Sequence, residues 1–245
     1  MTARELFQAG QLKEAIQALG SELRDHPTDT QRRTFLYELL CFSGDYSRAE
    51  KHLSLLAQAS PDAEVGALLY RSAMMAERKR EAFFEAKDYQ KADQGAEIKP
   101  LSGTLNGESF QTIEDADPRI GPRLEVFVAG EYVWLPFEHL GSLSMEQPRR
   151  LRDLLWSNAI VTAGPALQGK DFGQVLLPVL YPFSWKHPKD VVKLGRETEW
   201  TSTDDGETPA GQRLLLLDGE KVVPFLEIRS LEFHTAEPAE AAIAN

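Results

Sequence analysis

One internal register constrains this chain more than any other feature. Residues 1–29 and 30–63 align at an offset of about 34 positions. Leu6 falls on Leu40, Gly10 on Gly44, Leu12 on Tyr46, Ala15 on Ala49, Leu19 on Leu53 and Pro27 on Pro61. Each unit reads as a helix ended by glycine, a short turn, and a second helix whose small alanine permits close packing. A proline that cannot continue the helix closes it. A third unit opens near Ala63, with Leu68, Leu69, Tyr70, Met74 and Met75 on helical spacing. It then departs from the pattern, because Arg78 stands where the turn glycine belongs and ERKREAFFEAKD reads as one continuing helix. That leaves about two and a half repeats, near the lower limit for a stacked array, so the last helix is expected to cap against the rest of the chain.

GDYSRAE, with Pro61 beyond it, resembles the second helix of the tetratricopeptide repeat (TPR). The first helix matches less well, with Arg33 and Tyr37 where that pattern prefers Trp and Gly. Stacked units of this kind leave a concave surface lined by the first helix of each pair. Here it would carry Gln31, Thr34 and Glu38, then Leu68, Ser72 and Met75. The functional reading is a groove for a helical or extended peptide. The alternative is a scaffold that caps the second part of the chain. Cys41, in the apolar run LYELLCF, reads as core and has no second cysteine to pair with. Met74 and Met75 read as core fillers.

After Asp93 the helical period is lost, and QGAEIKPLSG places a linker near residues 94–100. Strand and turn signals follow. Asn106-Gly107 marks one hairpin. Ala129-Gly130 marks a second, between the alternating Leu124, Val126, Val128 and Tyr132, Trp134, and Pro136 ends its strand or marks an edge. SLSMEQPRRLRDLLW reads as one or two helical turns. FGQVLLPVLYPFSW reads as an extended run that Pro178 and Pro182 exclude from the centre of a sheet. RLLLLDGEKVVPFLEIRSLEF reads as strand, Asp218-Gly219 turn, strand, strand. The expected class is α+β: a TPR-like helical domain over 1–94, a mostly antiparallel β-rich domain over 95–235 with a barrel-like or strongly bent sheet, and a disordered tail over 236–245.

The net charge is −11 and argues against a general nucleic-acid binder, which needs a basic field. Residues 1–94 carry 13 basic and 15 acidic side chains and the remainder 14 and 23, so the acidity lies in the strand-rich part. No run is apolar enough to span a membrane and no export signal is read at the N-terminus, so a cytoplasmic protein is expected. Phosphate-loop, dinucleotide, zincin and serine-nucleophile motifs are all missing. His26, His52, His139, His187 and His234 are scattered, and no cofactor or metal is expected. The acidic run from Thr203 to Glu207 lacks calcium-loop spacing and reads as a solvated turn.

Two polar segments stand out. LRDLLW holds Arg152, Asp153 and Trp156; LGRETEW holds Arg196, Glu197 and Trp200. Pairing of Arg152 with Asp153, and of Arg196 with Glu197 or Glu199, is the structural reading. A partner interface anchored by Arg and Trp, or a small-ligand or enzymatic site in the β-rich domain, are the functional alternatives.

Taken together, GTLNGESF, DADPRIGPRLEVFVAGEYVWLPFEHL, LRDLLW, VLLPVLYPFSW, VVKLGRETEW and GQRLLLLDGE resemble, in order, the ImpE/TagJ (SciE-type) family of bacterial type VI secretion accessory proteins. LFQAGQLKEAI and the repeat region are similar to the same family. The resemblance implies a cytoplasmic, non-enzymatic accessory with protein partners: the small sheath subunit (TssB-like) and, in some members, the ClpV-type ATPase that recycles contracted sheath. It supplies no catalytic residues. A general TPR scaffold joining two machine components is the remaining alternative.

Overall fold

The repeat register appears as two helical hairpins and a long helix. These are α1 (Ala3–Gln8) with α2 (Leu12–Asp25), α3 (Thr30–Phe42) with α4 (Tyr46–Ala57), and α5 (Pro61–Glu85), followed by the single turn α6 (Tyr89–Ala92). Gly10 and Gly44 take left-handed backbones, with φ of +77° and +71°, at equivalent turns. Ala15 and Ala49 are completely buried where the hairpins close. Asp29, Asp45 and Ser60 cap α3, α4 and α5, each side chain accepting the main-chain N–H three residues on, and Pro61 opens α5. In α3 every residue from Leu36 to Phe42 is buried. A helix buried on all sides is covered on both faces, so the inner face of the array is not open to solvent there.

The computed structural model describes residues 1–92, 101–167, 172–203 and 206–234. The expected linker at 94–100, the Asp204-Asp205 tip of the acidic run and the 236–245 tail lie outside them.

Among the described residues thirteen strands follow: β1 (Gly103–Leu105), β2 (Glu108–Phe110), β3 (Ile113–Asp115), β4 (Arg123–Val128), β5 (Glu131–Pro136), β6 (Leu140–Met145), β7 (Trp156–Ala163), β8 (Gly173–Pro178), β9 (Thr198–Thr203), β10 (Gly206–Gly211), β11 (Leu214–Leu217), β12 (Lys221–Pro224) and β13 (Ser230–Phe233). A short helix α7 (Asp190–Lys193) precedes β9. Eight strands form one antiparallel sheet in the order β2-β1-β13-β6-β7-β8-β4-β5. A second sheet is β12-β11-β3, and β9-β10 make a separate ribbon. The three expected hairpins form as read. Both central residues have positive φ in the two-residue turns at Asn106-Gly107 and Ala129-Gly130, the backbone such turns need to match strand twist; Asp218 and Gly219 also have positive φ, in a three-residue loop that pairs Leu217 with Lys221.

Three expectations are corrected. The large sheet is open, with β2 and β5 at its edges, and is not a barrel. FGQVLLPVLYPFSW supplies β8, an interior strand between β7 and β4. Pro178 is tolerated as its last residue, where its carbonyl accepts from Arg213 and no further ladder bond is needed. SLSM is strand β6, because Leu143 and Met145 alternate into the core, and only Leu151–Leu154 forms a turn of 3-10 helix.

Apolar residues of α1–α5, the large sheet and the β12-β11-β3 sheet belong to one continuous core, running from Leu12 and Ala49 through Met74, Trp156 and Val126 to Leu215 and Phe225. Met74 joins it, as expected for a core filler. Met75 does not, being half exposed.

Candidate functional site

The α5 part of the inner face of the repeat array is covered by the chain's own strands. Helix α5 lies along the face of β4 and β5 that carries Glu125, Tyr132 and Trp134. Phe83 packs edge-on to Tyr132 and Trp134, with ring centroids 5.5 and 4.9 Å away. Beneath α5, Arg80 is fully buried and grips Glu125 with two bonds, Nε to Oε1 at 2.8 Å and Nη2 to Oε2 at 2.6 Å. Its Nη1 donates to Glu77 Oε1 at 2.9 Å. Glu77 in turn accepts the indole N–H of Trp156 at 3.1 Å, and Tyr132 donates its hydroxyl to Glu125 at 2.6 Å. On the far side Arg213 reaches Glu125 at 3.3 Å and donates twice to Asp115 Oδ2, at 2.9 and 2.8 Å.

Two guanidiniums and three carboxylates thus stitch α5, β3, β4 and the residue that leads into β11 together. Burial pushes the Glu125 carboxyl up, but Arg80 and Arg213 more than offset it and hold it below its ordinary value. Burial pushes Asp115 up to about 6, against the pull of Arg213. Two charges fixed in such geometry hold the elements in one register, and removal of one partner leaves the other stranded.

The loop before α7 adds to this cover. Trp185 lies flat on the Gly44 turn, where a Cβ would meet its ring at 2.4 Å, and donates its indole N–H to Glu81 at 2.7 Å. The void left between Cys41, Arg80, Trp156 and Trp185 is only about 20 Å³, room for about one water and no ligand. Cys41 is a buried core residue, and burial raises its thiol pKa.

The six residues expected to line one groove therefore occupy two separate clefts at the edge of this joint. Gln31, Thr34 and Glu38 line an open cleft of about 550 Å³ with Arg4, Phe7 and Leu151. Leu68 and Ser72 line another of about 450 Å³, closed on its far side by Phe127, Val128 and Leu176. Met75 stands over Gly130 at the edge of the second. Here α5 projects past the cover of the sheet, leaving Val65, Leu68 and Leu69 70%, 62% and 44% exposed, and Ile160 of β7 56% exposed beyond it.

The two Arg/Trp segments meet at one cleft of about 480 Å³, which Leu151 and Leu154 of the first line with Leu194, Gly195 and Arg196 of the second, while Arg152, Asp153, Trp156, Glu197 and Trp200 do not line it. Arg152 pairs across the joint with Glu38, at 3.2 Å, and lies 4.8 Å over the Tyr70 ring; Asp153 is not its partner. Asp153 instead accepts the main-chain N–H groups of Arg149 and Arg150. Trp156 is core. Arg196 reaches neither Glu197 nor Glu199: it donates to the carbonyls of Phe7 and Gln8 and stacks on Phe7, tying α1 to the strand-rich part. Glu199 holds His187 and Lys189 instead. Glu197 is exposed, and Trp200 is 43% exposed on the β9-β10 ribbon. No cluster of metal-ligand type is present among the described residues, and no helix there is long and apolar enough to cross a membrane.

Sequence reasoning missed Glu77, Arg80, Asp115, Glu125 and Arg213. A signal was present for Glu125 and Arg213: each is a charge set among apolar residues, in LEVFV and GQRLLLL, where an unpaired charge would be too costly to keep.

Comparison with known proteins agrees with this architecture. The family model described as "ImpE protein" matches residues 107–232, and a tetratricopeptide-repeat model matches residues 6–71. A Pseudomonas aeruginosa protein described as "Type VI secretion system accessory component TagJ" is 32% identical over 272 aligned positions, spanning 98% of this chain and 93% of that one. The crystal structure of protein VPA1032 from Vibrio parahaemolyticus shares the fold, with a TM-score of 0.81 at 24% identity over 96% of this chain and 98% of that one.

Proposed function

The chain belongs to the ImpE family, and on that premise we propose that it is a non-enzymatic, cytoplasmic accessory of the type VI secretion system that binds a sheath component, the small TssB-like subunit, with a ClpV-type ATPase as a second contact. Kinship with an accessory component over nearly the full length of both chains supports the system. One structural observation carries the binding role. With the α5 part of the inner face covered by the chain's own strands, an apolar row of α5 (Val65, Leu68, Leu69, Met75) is still left in the open beside a cleft of about 450 Å³. Rows of exposed large apolar side chains next to a cleft mark contact surfaces. The Gln31, Thr34 and Glu38 cleft lies on the same border between helices and strands and completes the proposed contact face.

The test is capture of purified small sheath subunit by the full chain and by Leu68→Asp. Leu68 is mostly solvated, so the substitution is expected to change stability by no more than about 0.5 kcal/mol while abolishing capture. Undiminished capture by a folded Leu68→Asp protein removes the α5 row from the interface. No capture by the unaltered chain removes the sheath partner.

A further inference from the structure

Among the described residues every sheet edge but one is guarded. An edge strand presents unpaired main-chain N–H and C=O groups, and short length, proline or lysine blunts it. β2 and β3 are three residues long, β5 ends in Pro136, β12 carries Lys221 and Pro224, and β10 has Pro209. β9 has none of these devices. It is six residues of sequence TEWTST, and it pairs with β10 alone. None of its residues lines the clefts described above.

The register fixes which of its main-chain groups face outward. Trp200 pairs with Pro209, which has no N–H, so these two residues cannot exchange a pair of ladder bonds. Antiparallel pairs alternate between the bonded and the non-bonded kind, so Ser202 with Glu207 is also of the non-bonded kind. The N–H and C=O groups of Trp200 and Ser202 therefore point away from β10, and no partner takes them among the described residues. The outer edge of β10 is already occupied at its base. Gly211 donates to Ser184 Oγ at 2.8 Å and accepts the Tyr181 N–H at 2.9 Å.

The chemistry beside the open edge selects a cation. From Glu197 to Gln212 the sequence holds no Lys or Arg. Glu199 is met by His187 and Lys189, but Glu197 and Glu207 are exposed and make no salt bridge among the described residues. The half-exposed Trp200 adds an aromatic face that a cation can cover. A second copy of the ribbon laid along this edge would bring like charges together, which disfavours self-association.

We propose that β9 is a docking edge for a basic, extended segment of a partner protein. The segment adds a third strand to the ribbon, bonds to the main chain at Trp200 and Ser202, and sets Lys or Arg side chains against Glu197, Glu207 and the Trp200 ring. This contact is separate from the one proposed for the sheath subunit and stands or falls independently of it.

The probe is a fluorescein-labelled heptapeptide of alternating Lys and Val, titrated into the full chain at about 50 and about 300 mM salt. Binding is expected, weaker at the higher salt, with hydrogen-exchange protection appearing at the amides of Trp200 and Ser202. The same peptide N-methylated throughout keeps its charges but has no donors, and is expected to bind about tenfold more weakly. The Glu197→Lys, Glu207→Lys double variant is expected to bind the unmethylated peptide about tenfold more weakly at low salt and to lose most of the salt dependence. If both peptides bind alike, or the two amides gain no protection, the contact is one of charge alone and strand addition is overturned. If the double variant matches the unaltered chain, the preference for a basic segment is overturned. If the chain alone dimerises in sedimentation with the same amides protected, the occupant is a second copy and the basic partner is overturned. If the Lys/Val peptide does not bind, the proposal falls.

Discussion

At the scale of the residue, the joint depends on Arg80. Its guanidinium satisfies Glu77 and Glu125 with no access to solvent. Arg80→Met retains most of the packing but strands both carboxylates, and is expected to destabilise the protein by about 3–5 kcal/mol in urea unfolding. The acids of the network titrate in opposite senses. Glu125 is held below its ordinary value, so its ionised form stabilises the fold at neutral pH and that contribution is lost as pH falls through its folded pKa. Asp115 is raised to about 6, so the folded state holds its proton more tightly than the unfolded chain, and its contribution weakens as pH rises from about 4 through 6. Urea titrations are therefore expected to show the stability gap between wild type and Glu125→Gln shrinking as pH falls below about 4.5, and that for Asp115→Asn shrinking as pH rises from about 4 through 6. Apart from Arg80 with Glu77, three residues away on the same helix, these ion pairs are not local in sequence. Arg80 and Glu125 lie 45 residues apart, and Arg213 and Asp115 lie 98 apart. Periodicity cannot place such pairs, and it assigned Arg152 and Arg196 to neighbouring acids that the fold directs elsewhere.

At the scale of the element, the Gly44 turn does two things. It ends α3 in a left-handed conformation and gives Trp185 a flat seat. Gly107 has a similar φ, +85°, with nothing where its Cβ would be. Alanine at position 107 is thus expected to cost only the backbone strain, about 1–2 kcal/mol. Alanine at position 44 is expected to cost about 1–3 kcal/mol more by displacing the indole, a difference that thermal melts of the two variants measure. The repeat helices and the three hairpins were legible in the sequence because capping residues and glycine turns act over a few positions, whereas β3, β6, β7 and the β9-β10 ribbon were not read as strands. The place of β8 inside the sheet was not legible either, since a proline was weighed without knowing that it falls on the strand's final residue. The division of the groove residues between two clefts was not legible for a related reason. Repeat periodicity describes how the helices stack on one another and carries no term for what the rest of the chain lays across them.

At the scale of the whole molecule, helices and strands are two halves of one folding unit. A fragment of residues 1–92 would expose Tyr70, Ala73, Glu77, Arg80 and Phe84, all buried in the intact chain. Division of the chain near residue 94 is therefore expected to give pieces without cooperative unfolding, checked by near-ultraviolet circular dichroism and dye binding on each.

Of the four tryptophans, three donate their indole N–H groups within or beside the joint: Trp134 to Tyr132, Trp156 to Glu77 and Trp185 to Glu81. Trp200 alone stands away from it, on the solvated ribbon. The molecule thus carries its own optical gauge. With Trp200→Phe in place, the remaining emission comes from indoles at the meeting of helices and strands, and a loosening of that seam registers as a red shift and easier quenching without any label.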